Sequence, residues 1–167
     1  MQAPPPTLGR ALLINCGIVL VVGAYLGFLY LVGVKDSWIT FFFLWYFASI
    51  RGAEPDAWLP AVLGALAGYA FSSLLLVLPA AFGAAAGLGA FIALVFVVVL
   101  MQVMGRLALL INPATFLFMM LGTIPMVLGK NDFAAQFSAL AVGIAFWSAL
   151  IFGARSLFAR NAARAGA

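Results

Sequence analysis

Residues 11–34 read ALLINCGIVLVVGAYLGFLYLVGV, 24 positions without one charged side chain. A helix needs about 20 predominantly apolar residues to cross the hydrocarbon core of a bilayer, so this stretch decides the class of fold. It is about twice as long as a signal-peptide core, and no small-residue cleavage site closes it. It is therefore read as a retained first helix behind a disordered, proline-rich tail at residues 1–10.

Working outward, further apolar runs cover residues 38–50, 58–78, 86–111, 113–128 and 133–154, which makes six candidate helices. The chain has 167 residues, 67% of them hydrophobic and 7% charged. Eight basic and four acidic side chains are too few to cover the exterior of a soluble domain, so the exterior faces lipid. The expected fold is an all-α integral membrane protein of six transmembrane helices. A single transmembrane domain over residues 11–158 is followed by a basic tail at 159–167.

Two of the six runs are short for a crossing. The second is entered by Asp36-Ser37 and loses its apolar character at Arg51-Gly52. The fifth is entered by Asn112-Pro113, an N-cap followed by proline at the first helical position, and carries Pro125, which kinks or ends a helix. Displacing the sequence by 75 residues sets Ser37, Thr40, Phe41 and Phe43 over Asn112, Thr115, Phe116 and Phe118. The same offset sets Gly68, Ala70, Phe71, Ser73 and Leu75 over Gly143, Ala145, Phe146, Ser148 and Leu150. Chance matching of low-complexity apolar sequence is one source of such a pattern. The other is a duplicated three-helix unit with halves at about 11–79 and 86–154, which three crossings per unit would make an inverted 3+3 repeat with short second and fifth helices.

With six crossings and both termini in the cytoplasm, Arg10, Arg51, Arg106, Arg155, Arg160 and Arg164 fall inside and Lys35 and Lys130 outside, as the positive-inside rule requires. If the second and fifth helices were re-entrant, the split would be four and four, so six crossings of a bacterial inner membrane are preferred. The basic residues stand singly and form no stripe, which excludes a nucleic-acid partner. Lipid is the expected surrounding.

Catalysis needs a nucleophile with a base, paired carboxylates or metal ligands. The chain has no His and one Cys, Cys16, in an apolar run, so neither a zinc site nor an intrachain disulfide is expected, and no cofactor. The four acids, Asp36, Glu54, Asp56 and Asp132, stand at expected helix ends and loops, so the protein is not expected to be an enzyme. Neutral polar groups inside the apolar runs are more informative, because each needs a partner where water is absent. Thr40 and Thr115, Ser73 and Ser148, together with Asn112 and Asn15, form a candidate solute path. The alternative for each hydroxyl is a structural bond to the preceding helical turn. Asn15 and Gln102 have fewer such local options. The aromatic cluster Trp38, Phe41, Phe42, Phe43, Trp45, Tyr46 and Phe47 is dense enough for cation or ring stacking, but reads as interfacial anchoring and packing. Glycine pairs spaced by four at Gly23 and Gly27, Gly64 and Gly68, and Gly83 and Gly87 allow close helix approach, within one chain or between chains.

Asn112-Pro113-Ala114 is similar to the aquaporin signature, but aquaporins carry it twice in a longer chain and the equivalent position here reads Ser37-Trp38-Ile39, so it is taken as a helix start. Trp38 followed by Tyr46-Phe47-Ala48 and Gly52, then Pro113, Thr115 and Phe116, then Leu140 and Gly143, resemble a bacterial inner-membrane family, domain of unknown function 1097, that of the YcdZ-type proteins. The resemblance covers about residues 12–157. It implies a compact multi-span inner-membrane protein and brings no assigned activity or functional residues.

A path of hydroxyls, amides and rings without buried charge suits a small neutral polar solute, urea-like or amide-like, carried by a channel or transporter that works as a homo-oligomer. The alternative is a structural or accessory subunit whose small-residue faces bind partner transmembrane helices.

Overall fold

The computed structural model describes residues 7–130 and 132–165. Every regular element among them is helical: α1 (Leu8–Leu31), α2 (Trp38–Trp45) continuing into a π-helical turn (Tyr46–Ile50), α3 (Pro55–Phe82), α4 (Ala84–Val103), α5 (Pro113–Gly122), α6 (Pro125–Lys130) and α7 (Phe133–Ala165). The helices α1, α3, α4 and α7 are long and apolar enough to cross a bilayer, which marks a membrane-embedded protein. On α4 the large side chains Ile92, Phe96 and Val103 are exposed, as suits a helix in contact with lipid.

Of the six runs expected to cross, four form helices of spanning length. The segment Trp38–Ile50 rises only about 20 Å and α5 only about 15 Å, against a hydrocarbon core of about 30 Å. The first stops where Gly52 and Ala53 turn left-handed at φ of 61° and 54°. The second stops because Pro125 lacks an N–H and disfavours helical backbone at the residue before it, so the run expected at 113–128 is cut at Thr123-Ile124.

Other boundaries shift as well. The third helix runs through Pro60 and Pro79, each of which removes one helical hydrogen bond without ending it. Only Gly83, at φ of 82°, separates it from α4. The fourth run, expected to reach residue 111, leaves helix after Val103, because Gly105 and Leu107 take left-handed backbone at φ of 63° and 54°. The expected tail at 159–167 is helical through Ala165, its Ala and Arg residues being good helix formers. Residues 8–10 of the expected N-terminal tail already belong to α1, and residues 1–6 lie outside those described.

The chain divides into two compact units, Met1–Ser37 and Trp38–Ala167. The first unit is α1 with the turn after it, and its residues 12–20 are exposed. The second is built on α3. One face of α3 carries Ala57, Ala61, Gly64, Ala65, Gly68 and Ser72, all buried, and these small residues let α5 lie against it. A Cβ at Gly68 would collide with the Thr115 backbone, and one at Gly122 with the Ser72 side chain.

Contacts fix the directions. Asn112 meets Pro60 and Gly64, Thr115 meets Gly68, and Gly122 meets Ser72, so α5 runs parallel to α3. Trp58 meets Ser148 and Tyr69 meets Gln136, so α7 runs antiparallel to α3. Phe41 packs on Trp147 and Phe47 on Phe152, so α2 and its π turn run parallel to α7, and hence opposite to α5. At the far end Gly87 packs on the Pro79 backbone and α4 returns along α3.

Candidate functional site

The first turn of α5 carries a dense set of polar bonds. Its N-cap Asn112 accepts a bond from the Ala114 N–H at 2.9 Å through Oδ1, and the Asn112 N–H donates to Thr115 Oγ1 at 3.0 Å. This reciprocal box satisfies helix-start donors that lipid could not. The Asn112 Nδ2 donates to the Pro60 carbonyl at 2.8 Å, and also faces the carbonyls of Leu109 at 3.1 Å and Ala108 at 3.3 Å. Asn112 thereby ties the start of α5 to the second turn of α3. Gly64 makes room for it, since a Cβ there would overlap its side chain.

Thr115 is completely buried, and its hydroxyl also donates to the Leu110 carbonyl. Asn112 and Thr115 are thus brought together, in a joint that holds the backbone. Thr40, the residue matching Thr115 at the 75-residue offset, is also completely buried, on α2. In the π turn, Tyr46 is buried and its hydroxyl lies against the Ala114 backbone, so the two short helices meet here.

Ser148 is buried on α7 and accepts a 2.7 Å bond from Trp58 Nε1. Ser73, its offset partner, is half-buried on α3 and bonds back to the Ala70 carbonyl at 2.7 Å. The two are not brought together. Asn15 is exposed on α1, outside the second unit. Gln102, near the end of α4, keeps Oε1 buried and unbonded among the described residues.

Gln136 is absent from the polar positions singled out above. It is completely buried on α7, and its Oε1 accepts a bond from the Tyr69 hydroxyl. Its Nε2 has no hydrogen-bond partner among the described residues. Within Trp38–Ala167 the described buried polar side chains are Thr40, Ser72, Asn112, Thr115, Gln136 and Ser148, and all are neutral. Beside the Tyr69–Gln136 pair, an open groove of about 400 Å³ runs between α3 and the start of α7, with Tyr69, Ala70 and Ser73 on one wall and Phe133, Phe137 and Ser138 on the other.

Comparison with family models, with curated proteins and with solved structures finds no match to this chain.

Proposed function

We propose that the chain is an inner-membrane channel or transporter for a small neutral polar solute of the urea or amide class. The observation that carries the proposal is the opposed pair of short helices. By their contacts, α5 starts opposite Pro60–Gly64 of α3, while Phe41 of α2 packs on Trp147, beside the Ser148 that bonds Trp58. Both starts therefore lie about 10 Å along α3 from its N-terminus by helical rise, and α2 and α5 leave that level in opposite directions. Short helices at matching positions of two oppositely directed halves are where transporters hold their substrates.

An inverted 3+3 repeat accounts for further features. Exchanging the halves turns α2 on α7 into α5 on α3, parallel in both cases, and leaves α3 and α7 antiparallel. In this reading α5 and α6 in series complete the fifth crossing, and both termini are cytoplasmic. Arg155 donates to the Ala53 carbonyl next to Arg51, and Arg106 lies in the segment 104–112 that delivers Asn112 to Pro60, so three of the arginines gather toward the N-terminal end of α3. By the positive-inside rule, this gathering supports a cytoplasmic position for that end. A neutral polar interior favours a neutral solute, since a charged one would cross without a counter-charge.

The test is reconstitution of the full chain in liposomes, with swelling rates in urea, acetamide and glycerol. Rates above those of empty vesicles are expected. Empty-vesicle rates for all three would overturn the proposal.

A second reading, an accessory subunit bound to partner helices, is favoured by Gly23 and Gly27 on α1, which are exposed with open space where a Cβ would stand. Purification in mild detergent separates the two: a stoichiometric foreign partner supports the subunit, and a homo-oligomer supports transport.

A further inference from the structure

Gln136 is held in an arrangement that packing alone does not explain. A buried amide left half-bonded costs free energy, whereas a residue of similar shape and no polarity would not. Tyr69 is also almost wholly buried, and its hydroxyl fixes the amide by its oxygen, which turns the Nε2 hydrogens away from that bond. On α7, Phe133, Phe137 and Ser138 line the groove, and Gln136, in the same turn, is completely buried. Tyr69 belongs to both, since it lines the groove and its hydroxyl bonds the amide. It packs against Phe133 at 5.7 Å between ring centres, at the groove's edge. Behind it Gly122, the last residue of α5, has no Cβ to crowd Ser72 or the Tyr69 ring.

We propose that Gln136, oriented by Tyr69, is the solute-selecting group of the route, donating its amide N–H to the oxygen of a small neutral carbonyl or hydroxyl compound that enters by the α3–α7 groove. This rests on the transport reading and adds the contact that discriminates. Tyr69 is a positioning residue: its hydroxyl holds the amide oxygen, which leaves the Nε2 hydrogens for the solute. A groove of about 400 Å³ admits molecules the size of urea or glycerol with room to spare. The unpaired donor favours compounds that present an acceptor oxygen and gives no advantage to ones that do not.

The experiment uses the full chain in proteoliposomes and measures urea and water permeability by stopped-flow light scattering. Wild type is compared with Gln136→Leu and with the double variant Tyr69→Phe/Gln136→Leu, which removes both polar partners while keeping their shapes. The expected result is a fall of about tenfold in the urea-to-water ratio for both variants, the equivalent of one hydrogen bond at the bottleneck. The double variant should unfold in detergent no earlier than wild type, so that lost selectivity is not lost structure. If wild type conducts urea and the double variant keeps the same ratio, the amide is structural or holds only a water, and the inference is overturned while transport stands. If wild type conducts no solute, both fall together.

Discussion

Replacing Asn112 tests whether the joint between α3 and α5 is what holds the second unit together. Asn112→Ala removes the N-cap acceptor for Ala114, worth about 1 kcal/mol. It also removes an amide with two hydrogens, which satisfy the Pro60 carbonyl and share the Leu109 and Ala108 carbonyls. Those bonds are worth about 1 kcal/mol each, so the whole substitution should cost about 3 kcal/mol. Asn112→Asp separates the two roles. It keeps the cap acceptor but presents a carboxylate to the same three carbonyls, with 8% of the residue exposed. A carboxylate cannot donate to them, so the bond to Pro60 is lost while the bond from Ala114 is kept. Equilibrium unfolding in mixed micelles reads both effects. Asn112→Asp should lose stability although it keeps the cap, which assigns that loss to the amide hydrogens. A cost below about 0.5 kcal/mol for Asn112→Ala, the range of an ordinary surface change, would refute the reasoning.

Gly68→Ala should lower stability by about 2 kcal/mol or more, because its Cβ meets the Thr115 backbone, which has no flexible end to move aside; thermal unfolding in detergent checks this. Gly23→Ala and Gly27→Ala should leave the monomer unchanged, since nothing stands near either Cβ position, and any effect should appear in the oligomer distribution on a sizing column. Trp58→Phe and Ser148→Ala should show coupling of about 1 kcal/mol in a double-mutant cycle, because each removes half of the bond between α3 and α7. Cysteines placed at Arg51 and Arg155 in a Cys16→Ser background should react with impermeant reagent from the cytoplasmic face only.

The membrane class and the two weak helices were legible because they are written in local chemistry. Charge-free runs mark α1, α3, α4 and α7, the Asn112-Pro113 pair marks the start of α5, and Pro125 marks its end. The end of α4 was not legible. Residues 107–111 remain apolar, so hydropathy continues past the point where Gly105 and Leu107 turn the backbone left-handed. The helical extension beyond residue 154 was hidden by the opposite effect, a loss of hydropathy without a loss of helix propensity. Among the candidate residues, hydropathy counting found Asn112 and Thr115, yet their hydroxyl and amide prove to be bonded to backbone, which depends on the fold of residues 108–115. Gln136 escaped because it lies near the start of an apolar run. A periodic signal points to it: Gln136, Ala139, Leu140, Ile144 and Trp147 are buried and share one face of α7, so an amide heads a stripe that is otherwise apolar.

The functional proposal stands or falls with the opposed runs of α2 and α5, and their depths are directly measurable. Trp45 and Met120 are exposed, on α2 and α5 respectively, and take spin labels in a Cys16→Ser background. Accessibility to oxygen and to a nickel chelate then gives the depth of each label in lipid vesicles. Trp45 lies near the level of Pro55 and Met120 near that of Ser72, so the two depths should differ by about 25 Å, toward opposite faces of the bilayer. Labels at one depth, or on one side of the bilayer centre, would contradict the opposed pair and the solute path built on it.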